Sequence, residues 1–179
     1  MFSRKWLYNF KIINMKTNKI LSAVAFTFVL LTSGNALAQK EKTVMVGGAA
    51  MYPSKNIVEN AVNSKDHTTL VAAVKAADLV ETLMSAGPFT VFAPTNAAFD
   101  KLPAGTVEGL LKPEKKGDLQ NILGYHTYVG ALKLEYMNDN QEYDMVYGGK
   151  VKITKQGDKT YVNGSEIVAS ITTANGIVH

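Results

Sequence analysis

The chain has 179 residues, enough for one domain with additional segments. Its formal charge of +4 is uneven: five basic residues precede Gln39, whereas the remainder has 14 lysines, no arginine and 15 acidic residues, for a net charge of −1. Since nucleic-acid binding depends on arginine and lysine contacts, this balance argues against a nucleic acid as partner. The absence of cysteine excludes disulfides, thiolate nucleophiles and cysteine-based zinc sites.

Residues 1–38 are predicted to be a signal peptide. A basic start is followed by an apolar run from Ile20 to Leu31 and by Ala36-Leu37-Ala38, a small-x-small cleavage site. The run has 12 residues, fewer than the roughly 20 that span a bilayer as a helix. We therefore expect no integral membrane span after cleavage; an uncleaved anchor is the alternative. Met15 lies where such a leader would begin, so residues 1–14 are interpreted either as a spurious N-terminal extension or as an extended n-region of the leader.

Residues 39–53 are polar and then rich in glycine and alanine, without periodicity, and are predicted to form a flexible arm or an edge strand. Residues 54–179 are predicted to form the domain. Its first half contains short amphipathic helix patterns with potential N-cap residues. These helices are expected to begin at Ser54, at Asp66 or Thr68, at Asp78, at Thr106 and at Asp118.

The stretch from Gly87 to Phe99 is predicted to be a strand-to-helix corner. The alternation from Phe89 to Phe92 is typical of a strand, and Pro94 ends it because proline cannot donate to a sheet. Thr95 is then positioned to cap a helix with its side chain. Phe99 is expected to fold back from that helix onto the strand.

The second half is predicted to consist of strands separated by turns that contain glycine. The candidates are Tyr143–Tyr147, Lys150–Thr154, Thr160–Val162, Glu166–Thr172 and Ile177–His179. Because helices come first and hairpins afterwards, the sequence predicts an α+β fold.

Thr90-Val-Phe-Ala-Pro-Thr-Asn-Ala-Ala-Phe99 closely resembles the first signature of the fasciclin domain, an adhesion and matrix-associated module. Tyr125-His126 matches a pair found in that family, and the last five residues from Asn175 resemble its second signature. The resemblance extends from about Asn56 to His179. It implies a wedge-shaped β-sandwich with a layer of short helices. The signature residues expected to have structural roles are Thr90, Phe92, Phe99, Asn175, Gly176 and His179.

The family's second signature continues into another apolar strand, whereas this sequence stops at His179. We therefore expect the C-terminal strand to be truncated and His179, although packed against the first signature, to be frayed. Part of the gap could alternatively be filled by the segment from Gln39 to Met51.

The resemblance implies an exported, non-enzymatic module that acts by adhesion in the periplasm, outside the cell or at its surface. The predicted partner is a cell-surface or matrix protein or a polysaccharide. It would meet an exposed face formed by Tyr125 and His126 with Pro94, Thr95 and Asn96. The alternative is that Tyr125 and His126 are structural, with His126 hydrogen-bonded where a helix passes into a strand.

Catalysis and cofactor binding have no support in the sequence. It contains no Gly-x-Ser-x-Gly elbow and no metal-binding histidine pair, and His67 is expected to be exposed. Asn163-Gly164-Ser165 fits the N-glycosylation pattern, but a hairpin turn explains Asn-Gly equally. The alternative function is that of a soluble extracytoplasmic carrier of a hydrophobic small molecule, held in a groove lined by methionine and tyrosine side chains.

Overall fold

The structure, a computed structural model, describes residues 41–179. The predicted signal peptide and the proposed start at Met15 lie outside these residues. No helix between residues 41 and 179 has the length and apolar character needed to cross a membrane.

The helices are short and precede most of the strands. They are α1 (Ile57–Ala61), α2 (Thr68–Ala76), α3 (Val80–Met84), α4 (Asn96–Phe99), α5 (Thr106–Leu110) and α6 (Lys116–Tyr125). Single 3-10 turns occupy Lys65–His67, Pro113–Lys115 and Leu134–Tyr136.

The strands form a hairpin and two four-stranded sheets. They are β1 (Val44–Val46), β2 (Ala49–Met51), β3 (Phe89–Val91), β4 (Thr127–Val129), β5 (Glu142–Asp144), β6 (Lys150–Gln156), β7 (Lys159–Val162), β8 (Ser165–Glu166), β9 (Ile171–Thr173) and β10 (Gly176–Val178). The sheet orders are β4-β3-β10-β9 and β5-β6-β7-β8. Only the pairing of β10 with β3 is parallel among the pairs of residues 41–179. The predicted α+β class is confirmed.

Of the predicted arm, residues 41–53 are described and contain the β1–β2 hairpin, whose strands pair with each other from Val44↔Met51 to Val46↔Ala49. The hairpin lies against the turn after α1, where the Lys65 amide donates to the Gly47 carbonyl at 3.1 Å. Met51 is buried at its end. This segment therefore packs on the domain through its own hairpin.

Several helix starts differ from the prediction. Asn56, not Ser54, caps α1: its side chain accepts from the Glu59 amide while the Glu59 carboxylate accepts from the Asn56 amide, a reciprocal capping box. Thr95 occupies the N-cap position of α4, but its side chain makes no capping hydrogen bond. Its carbonyl instead accepts from the amides of Ala98 and Phe99. The N-cap position of Thr95 was predicted correctly, but the predicted hydrogen bond between its side chain and the helix is not formed.

Two hydrophobic cores lie on opposite sides of strand β3. The helical core is built from Ile57, Leu70, Ala73, Val74, Ala77, Leu83, Val91, Leu119 and Leu123. The sheet core is built from Phe92, Leu132, Met137, Tyr143, Met145, Val151 and Ile153. Because successive side chains of an extended segment point to opposite faces, the neighbours Val91 and Phe92 belong to different cores. The first signature therefore holds the helical layer and the second sheet together.

Candidate functional site

Thr90 fixes the backbone beside the corner. It is fully buried on β3, and its hydroxyl donates to the Gly130 carbonyl at 2.7 Å and accepts from the Leu132 amide at 2.9 Å. A hydroxyl side chain suits this position because it both donates and accepts, so two backbone groups in the loop after β4 are satisfied.

His179 packs against the first signature. Its ring stacks on Phe92 with centroids 5.7 Å apart, and its Nε2 donates to the Leu132 carbonyl at 2.7 Å. Its amide and carbonyl both pair with the segment from Val91 to Ala93. The expectation that His179 is frayed is therefore wrong.

Phe99 is half-buried and packs against the helical core. It thus folds back from α4 toward the strand that precedes it, as the spacing of the first signature predicts. Its ring and that of Phe92 contribute to different cores, so the aromatic residues at the two ends of the corner act on opposite sides of β3.

A groove of about 430 Å³ runs along the corner. It brings Pro94 and Thr95 together with Tyr125 and His126, as the sequence predicts, although these pairs lie far apart in the chain. The opposite wall comes from strands β7 and β8 and the segment that follows them. The other lining residues are Phe92, Ala93, Ala98, Val151, Val162, Asn163, Ser165, Glu166, Ile167, Val168 and His179.

Tyr125 joins the end of α6 to the second sheet. Its hydroxyl donates to the Lys150 carbonyl at 2.9 Å and accepts from the Asn163 side-chain amide at 3.0 Å. The ring lies against Gly149, where a β-carbon would stand 2.7 Å from a ring carbon. Tyr125 therefore lines the groove with its ring, while its hydroxyl is already hydrogen-bonded within the protein.

His126 follows α6 and is half-buried beside Tyr125, with the two rings edge-to-face at 5.9 Å. Its Nδ1 lies 2.8 Å from the Ile122 carbonyl, and since a carbonyl only accepts, Nδ1 carries the hydrogen. In the neutral ring Nε2 is then left as an acceptor. The geometry agrees with a junction-stabilising histidine that also lines the groove.

Asn96 is absent from the groove lining, unlike its neighbours Pro94 and Thr95. Its side chain accepts from the Thr69 amide at 3.1 Å and donates to the Lys65 carbonyl at 2.9 Å and the Thr68 hydroxyl at 3.0 Å. It therefore ties α4 to the start of α2. These hydrogen bonds give Asn96 a structural role at this junction, and its part in binding stays a prediction.

The potential glycosylation asparagine is likewise engaged. Asn163 has a positive φ of 48° in the turn between β7 and β8, and its side-chain oxygen accepts from the Lys152 amide at 2.8 Å. Its amide nitrogen donates to Tyr125. Attaching a sugar would break this connection, so the turn explanation of Asn-Gly is the better one.

His67 is half-buried, so the expectation that it is exposed is wrong. Its Nδ1 lies 2.8 Å from the hydroxyl of the buried Ser64. Burial lowers the pKa of His67, and the charge of Asp66 and a hydrogen bond with the Ala93 backbone partly oppose this shift. The sequence-based prediction missed this burial because the burial depends on a segment distant in the chain, which includes Ala93.

The folded state should consequently lose stability in mild acid. Because the pKa of His67 is lower when folded than when unfolded, the folded chain binds fewer protons, and the free energy of unfolding falls as pH drops below about 6.5. Urea unfolding at pH 7.5 and pH 5.5 should show this fall, with a smaller fall in His67→Asn. An NMR titration midpoint for His67 above that of a histidine peptide would contradict the assignment.

The prediction also missed Glu166 and Val168 on the groove wall. Glu166 pairs with Lys159 at 2.9 Å, and the side chain of Val168 is 79% exposed. A run from Glu166 to Thr172 was predicted as one strand, which would have buried alternate residues. The structure divides it into β8 and β9, joined by residues 167–170 without regular secondary structure, and Val168 in this link is exposed.

Within residues 41–179, no three histidine, aspartate or glutamate side chains lie close enough together to hold a metal ion. The groove is instead lined by aromatic, aliphatic and uncharged polar side chains around one ion-paired carboxylate. Such a surface is suited to contact and hydrogen bonding with a partner.

The two sheets, the helical layer and the signature corner define a domain of the fasciclin type. The chain belongs to the fasciclin domain family, whose model matches residues 65–179. The resemblance inferred from the three sequence motifs is thereby confirmed.

Relatives extend over most of the chain. It is 42% identical over 171 residues to protein sll1483 of Synechocystis sp., which covers 92% of this chain and 94% of that protein. It is 37% identical over 125 residues to immunogenic protein MPB70 of Mycobacterium bovis, which covers 66% of this chain and 62% of that protein. A FAS1 domain pair from the insect cell adhesion molecule fasciclin I superposes with a TM-score of 0.59 at 12% identity, covering 78% of this chain and 56% of that one. At that identity the likeness establishes the fold.

Proposed function

We propose that this protein is an exported, non-catalytic adhesion module that binds a cell-surface or matrix protein or a polysaccharide through the groove. The observation that carries the proposal is the convergence of Pro94 and Thr95 with Tyr125 and His126 on one concave surface. The relation to an insect cell adhesion molecule supports the same class of function. Secretion or placement in the periplasm or at the cell surface accords with the predicted signal peptide.

The groove combines two kinds of surface that recognition needs. Tyr125 and Val168 offer apolar area, whereas Thr95 and Ser165 offer hydroxyl groups, and the Thr95 hydroxyl is not used to cap α4. Aromatic residues in concave interfaces tend to dominate the binding energy. Tyr125 is moreover held in place by its hydrogen bonds, so little conformational freedom is lost when a partner covers it.

Replacing Tyr125 or His126 by alanine would affect stability as well as binding, because both side chains donate hydrogen bonds to backbone carbonyls. Val168→Asp is the sharper change: it places a charge on the groove wall at an exposed position. We expect attachment to weaken roughly tenfold or more while the free energy of unfolding stays within about 0.5 kcal/mol. Val62→Asp is the matched control, since Val62 is 51% exposed on the helical side and absent from the groove.

The measurement is surface plasmon resonance of the purified protein on a panel of immobilised extracellular matrix proteins and bacterial cell-surface polysaccharides. Binding to one class, lost in Val168→Asp and retained in Val62→Asp, is the expected result. Equal loss in both variants would place the contact elsewhere, and no binding across the panel would remove the adhesion function.

A second candidate function is that of a soluble carrier of a hydrophobic small molecule. It is supported by an apolar cavity beneath the helical layer, lined mainly by residues of α1, α2, α3, α6, β3 and β4. Solvent extraction of protein purified from its native host, followed by mass spectrometry, tests it. A stoichiometric apolar compound is expected, and repeated absence of one would exclude the carrier function.

A further inference from the structure

The apolar cavity occupies part of the helical core. It has a volume of about 170 Å³ and is lined almost entirely by aliphatic and aromatic side chains. One wall of the cavity comes from helix α3, with Val80 and Leu83, and from Leu79 just before it. Strand β3 contributes Phe89 to the same lining. Lys75 is the one charged residue among the described residues that line it, and Lys75 is itself exposed.

The cavity offers water few hydrogen-bond partners, because its lining is almost entirely apolar. An enclosed apolar cavity of roughly 150 Å³ stays dry and binds benzene or xenon; this cavity has a similar volume but opens to solvent on one side. An empty cavity also leaves its lining atoms without dispersion contacts on one side. The lining therefore gains contacts when an apolar molecule of matching size enters.

The cavity reaches the surface beside exposed apolar residues. Val129, Val146 and Tyr147 are 64%, 46% and 55% exposed, and all three belong to the lining. The Val146 amide donates to the Thr127 carbonyl at 2.9 Å, which holds this segment against the end of β4. The apolar surface therefore continues from the interior to an accessible opening.

Gly124 allows Tyr147 to form one side of this opening. A β-carbon at Gly124 would overlap the ring of Tyr147, so the ring lies directly on the backbone of α6. With any larger residue at position 124 the ring would be displaced. The pairing of Gly124 and Tyr147 gives an aromatic wall that a planar or chain-like apolar group can contact.

We propose that this cavity is a binding site for a small uncharged apolar group, the size of a single aromatic ring or an aliphatic chain of about six carbons. The site opens between Val129, Val146 and Tyr147, and it shares Phe92, Ala93 and His126 with the lining of the adhesion groove. The inference deepens the carrier function proposed above and rests on it, because it assigns that function a site and a ligand class.

The test uses benzene as the probe and the full chain as the protein. Methyl NMR during a benzene titration should show saturable shifts at Val80, Val129 and Val146, whereas Ile153 methyls in the sheet core stay unchanged. Phenol should bind at least roughly tenfold more weakly, since its hydroxyl would be buried without a partner. Shifts of equal size at Ile153, non-saturating shifts, or equal affinity for phenol would overturn the proposal.

Variants provide the second measurement. Val80→Phe fills the cavity and should weaken benzene binding at least roughly tenfold, whereas Val62→Phe, a similar addition at an exposed position outside the cavity, should leave it unchanged. Should Val80→Phe fail to fold, Tyr147→Ala tests the same site at an exposed position and should weaken binding by about threefold. Unchanged affinity in a folded Val80→Phe or Tyr147→Ala variant would also overturn the proposal.

The benzene titration tests the cavity and the extraction tests the carrier function, so either result can be negative without the other. Benzene binding without any extractable compound would support the cavity and exclude the carrier function. An extractable compound together with no benzene binding would keep the carrier function and overturn this cavity as its site.

Discussion

Gly176→Ala should destabilise the protein by about 3 kcal/mol or more. A β-carbon at Gly176 would overlap the Phe89 carbonyl oxygen and stand 2.9 Å from the carbonyl carbon and amide nitrogen of the same residue. These are backbone atoms of β3, so no side-chain rotation relieves the overlap. Strand β10 would have to move away from β3, which would disturb the only parallel pairing of the described residues and the burial of Ile177.

The measurement is urea unfolding followed by circular dichroism, with Gly109→Ala as the matched control. A β-carbon at Gly109, inside helix α5, meets no atom within 4 Å. Since alanine favours a helix over glycine, this control should be neutral or more stable by up to about 1 kcal/mol. A Gly176→Ala protein as stable as Gly109→Ala would show that β10 and β3 do not approach as closely as described.

The strand-to-helix corner was predictable because its signals are local. Alternation identifies β3, Pro94 ends it, and the next residues begin α4. The start of α1 could also have been predicted, since Asn56 and Glu59 stand at the spacing of a capping box; the prediction gave preference to Ser54 instead. Local patterns therefore located most elements and left their boundaries uncertain by a few residues.

Non-local contacts were not predictable from the same signals. The parallel pairing of β10 with β3 joins distant parts of the chain, and β4 follows α6 without an intervening turn that would have marked it. The burial of His67 and the structural use of Asn96 likewise depend on segments brought together only by folding. Of the predicted binding residues, the groove includes Pro94, Thr95, Tyr125 and His126 and leaves out Asn96, whose amide is used elsewhere.

The signature asparagine beside Gly176 connects three elements. The side-chain oxygen of Asn175 accepts from the Ile57 amide at the start of α1 at 3.0 Å. Its amide nitrogen donates to the Leu83 carbonyl at 2.8 Å and to the Ser85 carbonyl at 3.0 Å, at the end of α3. One amide thus satisfies a free donor at one helix end and two free acceptors at another.

Asn175→Ala should lower the free energy of unfolding by about 2 to 4 kcal/mol, because it leaves these partly buried backbone groups without partners. Asn175→Asp retains an acceptor for Ile57 but places a carboxylate against the carbonyls of Leu83 and Ser85. At pH 7 it should be about as unstable as the alanine variant. Protonation restores a donor, so the folded state favours the protonated form and raises the carboxyl pKa.

The deficit of Asn175→Asp relative to the unsubstituted protein should therefore shrink as pH falls from about 7 to about 4, whereas the deficit of Asn175→Ala should stay constant. Urea unfolding of all three proteins at each pH measures both deficits under identical conditions, so the acid sensitivity contributed by His67 cancels in the comparison. A deficit of Asn175→Asp that is independent of pH would show that the donor side of the amide contributes little. In that case the stabilising effect of Asn175 would come mainly from the hydrogen bond that its side-chain oxygen accepts from the Ile57 amide.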